Sequence, residues 1–454
     1  MLFTTEWLAE TMTGQGKEAF KTAIAILEVT TDSRKQTENA LFVPLTGDRF
    51  DGHDYVEQAV SNGAVAVLWQ KNKQLPIALP DDFPVFYVEN TLIALQQLAT
   101  AYRDLVKPEV IAVTGSNGKT TTKDLLASII RTSFKTHYTE GNLNNQIGVP
   151  LTILSMPADT EVVVTEMGMN HAGEIAALSH IAKPDYAVIT NIGESHIEYL
   201  GSREGIAEAK LEIVQGMTDQ GCLLIDGDEE LLNSVHDKPH VLACGFGDSN
   251  DVIIKAVNVT INSTWFQLSG DCDYSTPLLG RHHALNAAFA VTIGKLLNIN
   301  HAKIKQGLSA PEKTSMRFEL INGRNGSSLI NDAYNASPTS MRASINVVRH
   351  LRGFNEKVLI LGDMFELGDR SKQLHRSVAD SIDSSVTAVF TIGNHAGEIS
   401  SAVKQRYPSI DCRHAASKET LENAVAAYAR DGVLILFKAS RGMQFEVLVD
   451  HFSE

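Results

Sequence analysis

The stretch "IAVTGSNGKTTTKDLL", Ile111–Leu126, runs from an apolar segment of strand length through a tight turn with two glycines into an amphipathic helix. A strand that enters a glycine loop and leaves as a helix makes an anion cradle, because loop amides and the helix dipole converge on one point. Gly115 and Gly118 permit close backbone approach, Lys119 supplies a point charge, and the Thr120 hydroxyl can reach a magnesium ion. The spacing is G-x-x-G-K-T, shorter than the usual Walker loop, since Val113 stands where that loop has its first glycine. Such a cradle sits at the carboxyl edge of a mostly parallel sheet, which commits this part of the chain to an α/β architecture. A switch, a motor, a kinase and a ligase can all begin this way.

The flanking sequence extends the same pattern. "EVVVTEMG", "YAVITNIG" and "GCLLIDGD" are apolar runs separated by helical segments, the mark of a doubly wound, mostly parallel sheet. Val252 to Leu268 reads as a small antiparallel insert, and "HHALNAAFAVTIGKLLNI" returns to helix. Upstream, "ALFVPL" and "AVAVLW" are short strands, with a helix between them that places Val56, Ala59 and Val60 on one face. The helix "NTLIALQQLATAYRDLV" ends at Lys107-Pro108, because the residue before a proline is pushed out of helical geometry. Downstream, "KVLILGDM", "TAVFTIGN" and "GVLILFKAS" form a second, smaller, Rossmann-like α/β unit. A length of 454 residues is too much for one ordinary core. Three domains are expected, at 1–107, 108–312 and 313–454.

The balance of charge narrows the partners. A formal net charge of -15 argues against duplex nucleic acid or anionic lipid, both of which need a basic face. The four cysteines are widely spaced without a C-x-x-C pair, so reduced thiols in a cytoplasmic protein are expected. No segment approaches the ~20 apolar residues that span a bilayer. Magnesium prefers oxygen ligands, so carboxylate should converge on the cradle from neighbouring strand ends. Glu166 closes "EVVVTE", and His196 follows the next strand in "NIGESHIEYLGS". Lys210, in "GIAEAKLEIVQG", reads on periodicity alone as a solvated lysine on an acidic helix.

Taken together, the motifs resemble the ATP-dependent Mur ligases, three-domain amide-forming enzymes of peptidoglycan synthesis. "TGSNGKTTTK" is similar to their short glycine loop, and "GNLNNQIGVP" to their asparagine-rich loop beside the metals. "SHIEYLGS", "EAKLEI", "RHHALNAAFA", "MRFE" and "NDAYNASP" follow in the family's order. "TDSRKQTENALFVPLTGDRFDGHDYVEQAVSNGAVAVL" resembles a UDP-binding N-terminal domain, while "HIEYLGS" and "LGDMFELG" resemble the branch that adds D-alanyl-D-alanine. The D-N-P-R motif of the diaminopimelate-adding branch is absent. The resemblance therefore implies an ADP-forming ligase that joins D-alanyl-D-alanine to a UDP-N-acetylmuramoyl-tripeptide through an acyl phosphate, acting as a monomer.

The resemblance also implies roles for residues. Gly115, Ser116, Asn117, Gly118, Lys119, Thr120 and Thr121 would bind ATP, with Lys119 on the β- and γ-phosphates. Thr120 and Glu166 would hold one magnesium ion and His196 the second, with Lys210 carbamylated beside them. Carbamylation turns a cation into a carboxylate, which suits a two-magnesium site as the free ammonium would not. Asn286 would face the adenine, and Arg317 and Asp332 would reach the ribose and phosphates from the third domain. Ser33 and Arg34 would meet the uridine diphosphate, and Tyr334 and Asn335 would lie on the acceptor side. His283 stands where the family often has asparagine. A GTP-dependent switch would need an N-K-x-D motif, which is absent. A small-molecule kinase, a folylpolyglutamate synthase and another Mur-type ligase remain as alternatives.

Overall fold

The computed structural model describes residues 1–13, 23–76, 79–80, 82–270, 272–312 and 314–454. The expected boundary residue Lys313 lies outside them. Among the described residues, besides a two-stranded ribbon of Phe3–Thr4 with Ala25–Ile26, three sheets follow one another.

The first sheet has four parallel strands in chain order, β1 (Glu28–Thr30), β2 (Ala40–Phe42), β3 (Ala64–Gln70) and β4 (Val85–Val88). The helix between β2 and β3 buries Val56 and Ala59. Helix α1 (Thr91–Val106) starts at Asn90, whose side chain accepts from the Ile93 amide. It stops at Lys107, which turns left-handed at φ 55° before Pro108. From its buried face, the Tyr102 hydroxyl donates to the Met156 carbonyl at 2.9 Å, tying the first section to the second.

The second sheet has nine strands: β5 (Glu109–Thr114), β6 (Thr136–Tyr138), β7 (Val162–Glu166), β8 (Tyr186–Ile189), β9 (Cys222–Asp226), β10 (Val241–Gly245), β11 (Val252–Val259), β12 (Thr264–Leu268) and β13 (Asp273–Thr276). Their spatial order is β13-β12-β11-β10-β9-β8-β5-β7-β6. After β5 the chain builds to one side, and from β8 onward it builds to the other, so a crevice opens at the carboxyl ends of β5 and β8. Three helices matter here: α2 (Lys119–Ile130), α3 (Arg203–Leu211) and α4 (Arg281–Leu296). The segment read as an insert instead extends the main sheet, since β11 pairs in parallel with β10 before β12 and β13 turn antiparallel. The reason is burial: Ile254, Phe266, Leu268 and Tyr274 join one apolar cluster with α2 and α4.

The third sheet contains β14 (Glu319–Asn322), β15 (Ser328–Asn331), β16 (Glu356–Gly362), β17 (Ala388–Ile392), β18 (Asp411–Ala415) and β19 (Val433–Lys438), in the order β14-β15-β19-β16-β17-β18. All pairs are parallel except β14 with β15. Helix α5 (Pro338–His350) follows β15 and begins with a capping box between Ser337 and Ser340. The connection into this section lies along α2, where Thr314 donates to Asp124 at 2.8 Å and the Glu312 amide donates to Ser128 at 3.1 Å.

Candidate active site

The glycine loop sits at the crevice between β5 and β8. Its shape is imposed by the end of β8: Ser116 N donates to the Asn191 carbonyl at 3.0 Å, and Asn117 N donates to Asn191 Oδ1 at 3.0 Å. Thr190 Oγ1 in turn donates to the Asn117 carbonyl at 2.6 Å. Gly115, at φ 146°, passes so close that a Cβ there would lie 1.8 Å from Thr190 Oγ1. Gly118 caps α2 at φ 80°, and a Cβ there would lie 2.9 Å from Asn286 Oδ1. Glycine is therefore needed at both places, once for approach to β8 and once for approach to α4.

The side chains around this loop are poised but incompletely partnered. Lys119 folds back over the loop and donates to the Gly115 carbonyl at 2.9 Å. Burial lowers its pKa; the nearby Glu166 carboxylate opposes that shift and Arg317 adds to it. Glu166, at the end of β7, is buried; its Oε1 accepts from Asn144 at 2.8 Å while its Oε2 has no partner. Ser116 Oγ and Asn117 Nδ2 are also buried without partners. Orphaned donors on the loop fit an anion, and an orphaned carboxylate oxygen in the cleft that the Thr120 hydroxyl also lines fits a hard cation.

His196 opens a short helix in a left-handed conformation at φ 64°, with Nδ1 2.6 Å from Glu366 Oε2. That contact holds the Glu366 carboxyl below its usual range, against the pull of burial. Lys210 is no solvated lysine. It is 2% exposed in the last turn of α3, and burial drives its pKa well below the ordinary value, with the Lys119 charge adding to the shift. The acidic residues of α3 mislead here, because they line its outer face while Lys210 points inward. Among the described residues, no three His, Cys, Asp or Glu side chains cluster as a ready-made metal site. A cation here would draw on the Thr120 hydroxyl and the unpartnered Glu166 oxygen, both on the cleft wall.

The third section supplies the opposite wall of a cleft of about 380 Å³. Arg317 stacks 3.9 Å over the Tyr334 ring and donates to Thr120 Oγ1 at 3.2 Å. Asp332 accepts from Lys438 and from Ser344, each at 2.6 Å. Lys438 also donates to the Asn335 carbonyl at 3.2 Å. Toward α4, His283 is buried with its pKa well below normal, and burial takes His282 down to about 4. Thr121, His283 and Arg317 also line an adjoining cavity of about 230 Å³ with Leu278 and Phe318 on its wall.

The cleft thus gathers loop residues 116–121 with Glu166, His196, Asn286, Arg317, Asp332, Tyr334 and Asn335. Ser33 and Arg34 are not part of it. They lie between β1 and β2, where Ser33 donates to Gln58 at 2.9 Å and Arg34 pairs with Asp32 in solvent. Sequence reasoning passed over Glu194, His282, Glu366 and Lys438. The available signal was weak, though Lys438 does end a wholly apolar strand with a charge.

Three family models match in succession: "Mur ligase family, catalytic domain" over residues 25–107, "Mur ligase middle domain" over 113–294, and "Mur ligase, glutamate ligase domain" over 316–441. The chain belongs to the Mur ligase family. Among its relatives, the UDP-N-acetylmuramoyl-tripeptide--D-alanyl-D-alanine ligase of Bacillus subtilis (strain 168) is 46% identical over 428 residues, covering 94% of this Mur ligase and 93% of the relative. A crystal structure of MurF from Acinetobacter baumannii matches with a TM-score of 0.86 at 30% identity, over 99% of this chain and 98% of that one. The MurF ligase of Thermotoga maritima, solved in complex with ADP, matches with a TM-score of 0.81 at 28% identity, over 94% and 96%. Among the described residues the four cysteines form no disulfide. Among the described residues no helix is long and apolar enough to cross a membrane.

Proposed function

We infer that this Mur ligase joins D-alanyl-D-alanine to UDP-N-acetylmuramoyl-tripeptide with conversion of ATP to ADP, a step in peptidoglycan precursor synthesis. The observation that carries the chemistry is the two-walled cleft. A phosphate cradle with unpartnered buried donors faces a guanidinium, a carboxylate and an ammonium from another section of the chain.

A carboxylate is a poor electrophile because its leaving group would be oxide. In this reading the tripeptide carboxylate attacks the γ-phosphorus of ATP, forming an acyl phosphate and releasing ADP. The dipeptide amine then attacks the acyl carbon, and phosphate departs. Loop amides, Lys119 and Arg317 hold the phosphoryl oxygens and stabilise charge on the transferring group. Asn286 and the adjoining cavity take the nucleotide's base, Asp332 its ribose end, and Tyr334 and Asn335 border the entry of the amine. Thr120 and Glu166 would hold one magnesium ion, and His196 with a carbamylated Lys210 a second, supplying neutralisation of phosphate charge. Lys210 suits carbamylation because burial favours its neutral amine, and only the neutral amine reacts with CO2. Closure of the third section over the cradle keeps water from the acyl phosphate.

The sections at 1–107, 108–312 and 313–454 act in this scheme as UDP-substrate, ATP and ligase domains. Ser33 and Arg34 serve the uridine diphosphate at a distance from the chemistry. The enzyme is read as a cytoplasmic monomer, where its nucleotide-linked substrates are made and its thiols stay reduced.

The test is ADP release with UDP-N-acetylmuramoyl-tripeptide across candidate amines, with the tripeptide carboxylate labelled with oxygen-18. Release should require D-alanyl-D-alanine over single amino acids, and one heavy atom should reach inorganic phosphate. Equal rates with single amino acids would defeat the substrate reading; unlabelled phosphate would defeat the acyl-phosphate reading.

A further inference from the structure

Between the cradle and the third section lies a short segment, Asn191 to His196, that the mechanism above uses only at its end. Glu194 in this segment is 8% exposed, yet all its side-chain partners belong to the start of α5. Its Oε2 accepts from the Thr339 amide at 3.1 Å and from Thr339 Oγ1 at 2.6 Å. Its Oε1 accepts from Arg342 Nη2 at 2.7 Å. A carboxylate at a helix N-terminus also meets the positive end of the helix dipole.

The packing beside this contact is close. A Cβ on Gly193 would lie 3.1 Å from Asn117 Nδ2, 3.2 Å from Ser116 Cβ and 3.6 Å from Thr339 Cβ. The cradle, Gly193 and the α5 terminus are therefore stacked in direct contact. Ser337, the cap of α5, donates to Asn117 Oδ1 of the cradle at 3.1 Å. The strand before α5 ends at Asn331, next to Asp332. Whatever fixes α5 against the cradle thus also sets where Asp332 stands relative to the nucleotide.

We propose that Glu194 is a positioning residue: a latch that accepts the N-terminus of α5 and registers the third section over the phosphate loop in the closed enzyme. Glu194 is not among the residues that line the cleft. It works by giving the closed arrangement a charge-assisted contact that an open arrangement would return to water. Arg342 is its cationic partner, itself steadied by a bond from Nη1 to Ser377 at 3.2 Å. The inference rests on the nucleotide reading of the cleft.

The experiment uses the full-length enzyme with Glu194→Ala, Glu194→Gln, Arg342→Ala and the Glu194→Ala/Arg342→Ala pair. Small-angle scattering in saturating ADP should show a larger radius of gyration for Glu194→Ala than for the wild type. The kcat should fall about tenfold or more, since one partner of a desolvated charge pair is lost. Glu194→Gln keeps the Thr339 bonds and should lose less. The double variant should be no worse than about threefold beyond Glu194→Ala, because the two residues act through one contact. A merely structural role would lower the unfolding midpoint while leaving the ADP-bound radius and kcat per folded enzyme unchanged, and that result overturns the latch. Losses that multiply in the double variant also overturn it. If Glu194→Ala fails to fold, Glu194→Gln and Arg342→Ala are read by the same criteria. The scattering arm needs only ADP, so a wrong amine substrate would show in turnover and leave the latch still decided.

Discussion

Replacing Gly115 with alanine tests whether β8 shapes the cradle. The new methyl would sit 1.8 Å from Thr190 Oγ1 and 3.0 Å from Thr190 Cβ, on a backbone at φ 146°. Holding an L-residue in so sparse a backbone region costs about 1–3 kcal/mol. Overpacking a close contact costs about another 1–3 kcal/mol. Turning the Thr190 side chain away also sacrifices its bond to the Asn117 carbonyl, worth about 1 kcal/mol. The loop can escape only by leaving its binding shape, so the penalty divides between stability and nucleotide affinity. Calorimetric titration with ADP should show the dissociation constant rising about tenfold or more, which takes up only ~1.4 kcal/mol of the penalty. Urea unfolding of the same variant should report much of the remainder. Adding Thr190→Ala removes the 1.8 Å clash with Oγ1 but keeps the 3.0 Å contact with Cβ, so it should recover part of the overpacking share and leave the backbone share in place. The reasoning is refuted if Gly115→Ala alone binds ADP within about threefold of wild type and unfolds within ~0.5 kcal/mol of it, a difference ordinary for a neutral surface change.

Lys119→Ala should cut ADP release by about a hundredfold or more, as loss of a preorganised charge at a transferring phosphoryl group does, with circular dichroism unchanged. Lys210→Met should abolish turnover yet leave the protein at least as resistant to heat, because a buried amine gives way to an apolar chain. In enzyme freed of the carbamate, the depressed Lys210 pKa means that the unfolded chain binds more protons, so stability climbs with pH toward the ordinary lysine value. In Lys210→Met, denaturant titrations across that alkaline range should show a shallower climb. Short carboxylic acids should partly restore Lys210→Ala in the ADP assay, by replacing the carbamate oxygens. His282, depressed from 6.5 to about 4, is a group that the fold keeps neutral, so stability should decline as pH falls through that interval. His282→Gln should flatten the decline without removing it, since His283 is depressed as well.

Much of the architecture was legible because periodicity and punctuation are local. The doubly buried strands β5, β7, β16 and β19 read as unbroken apolar runs, and Asn90 and Pro108 mark the ends of α1. The edge strands β14 and β18 escaped notice: "ELIN" and "DCRHA" bury little, and a half-exposed edge carries no apolar run to find. The antiparallel pairing within Val252 to Leu268 was visible, but its membership of the main sheet was not, since that depends on pairing with β10.

By itself the sequence determined that a phosphate cradle lies between a strand and a helix, since glycine, lysine and hydroxyl at fixed spacing act within one turn of backbone. Only the tertiary structure decided that Lys210 is buried beside Lys119, that His196 meets Glu366, and that Glu194 meets α5. Those relations join residues tens to hundreds of positions apart. Desolvation and charge pairing depend on distance in space, and a single sequence records distance only along the chain.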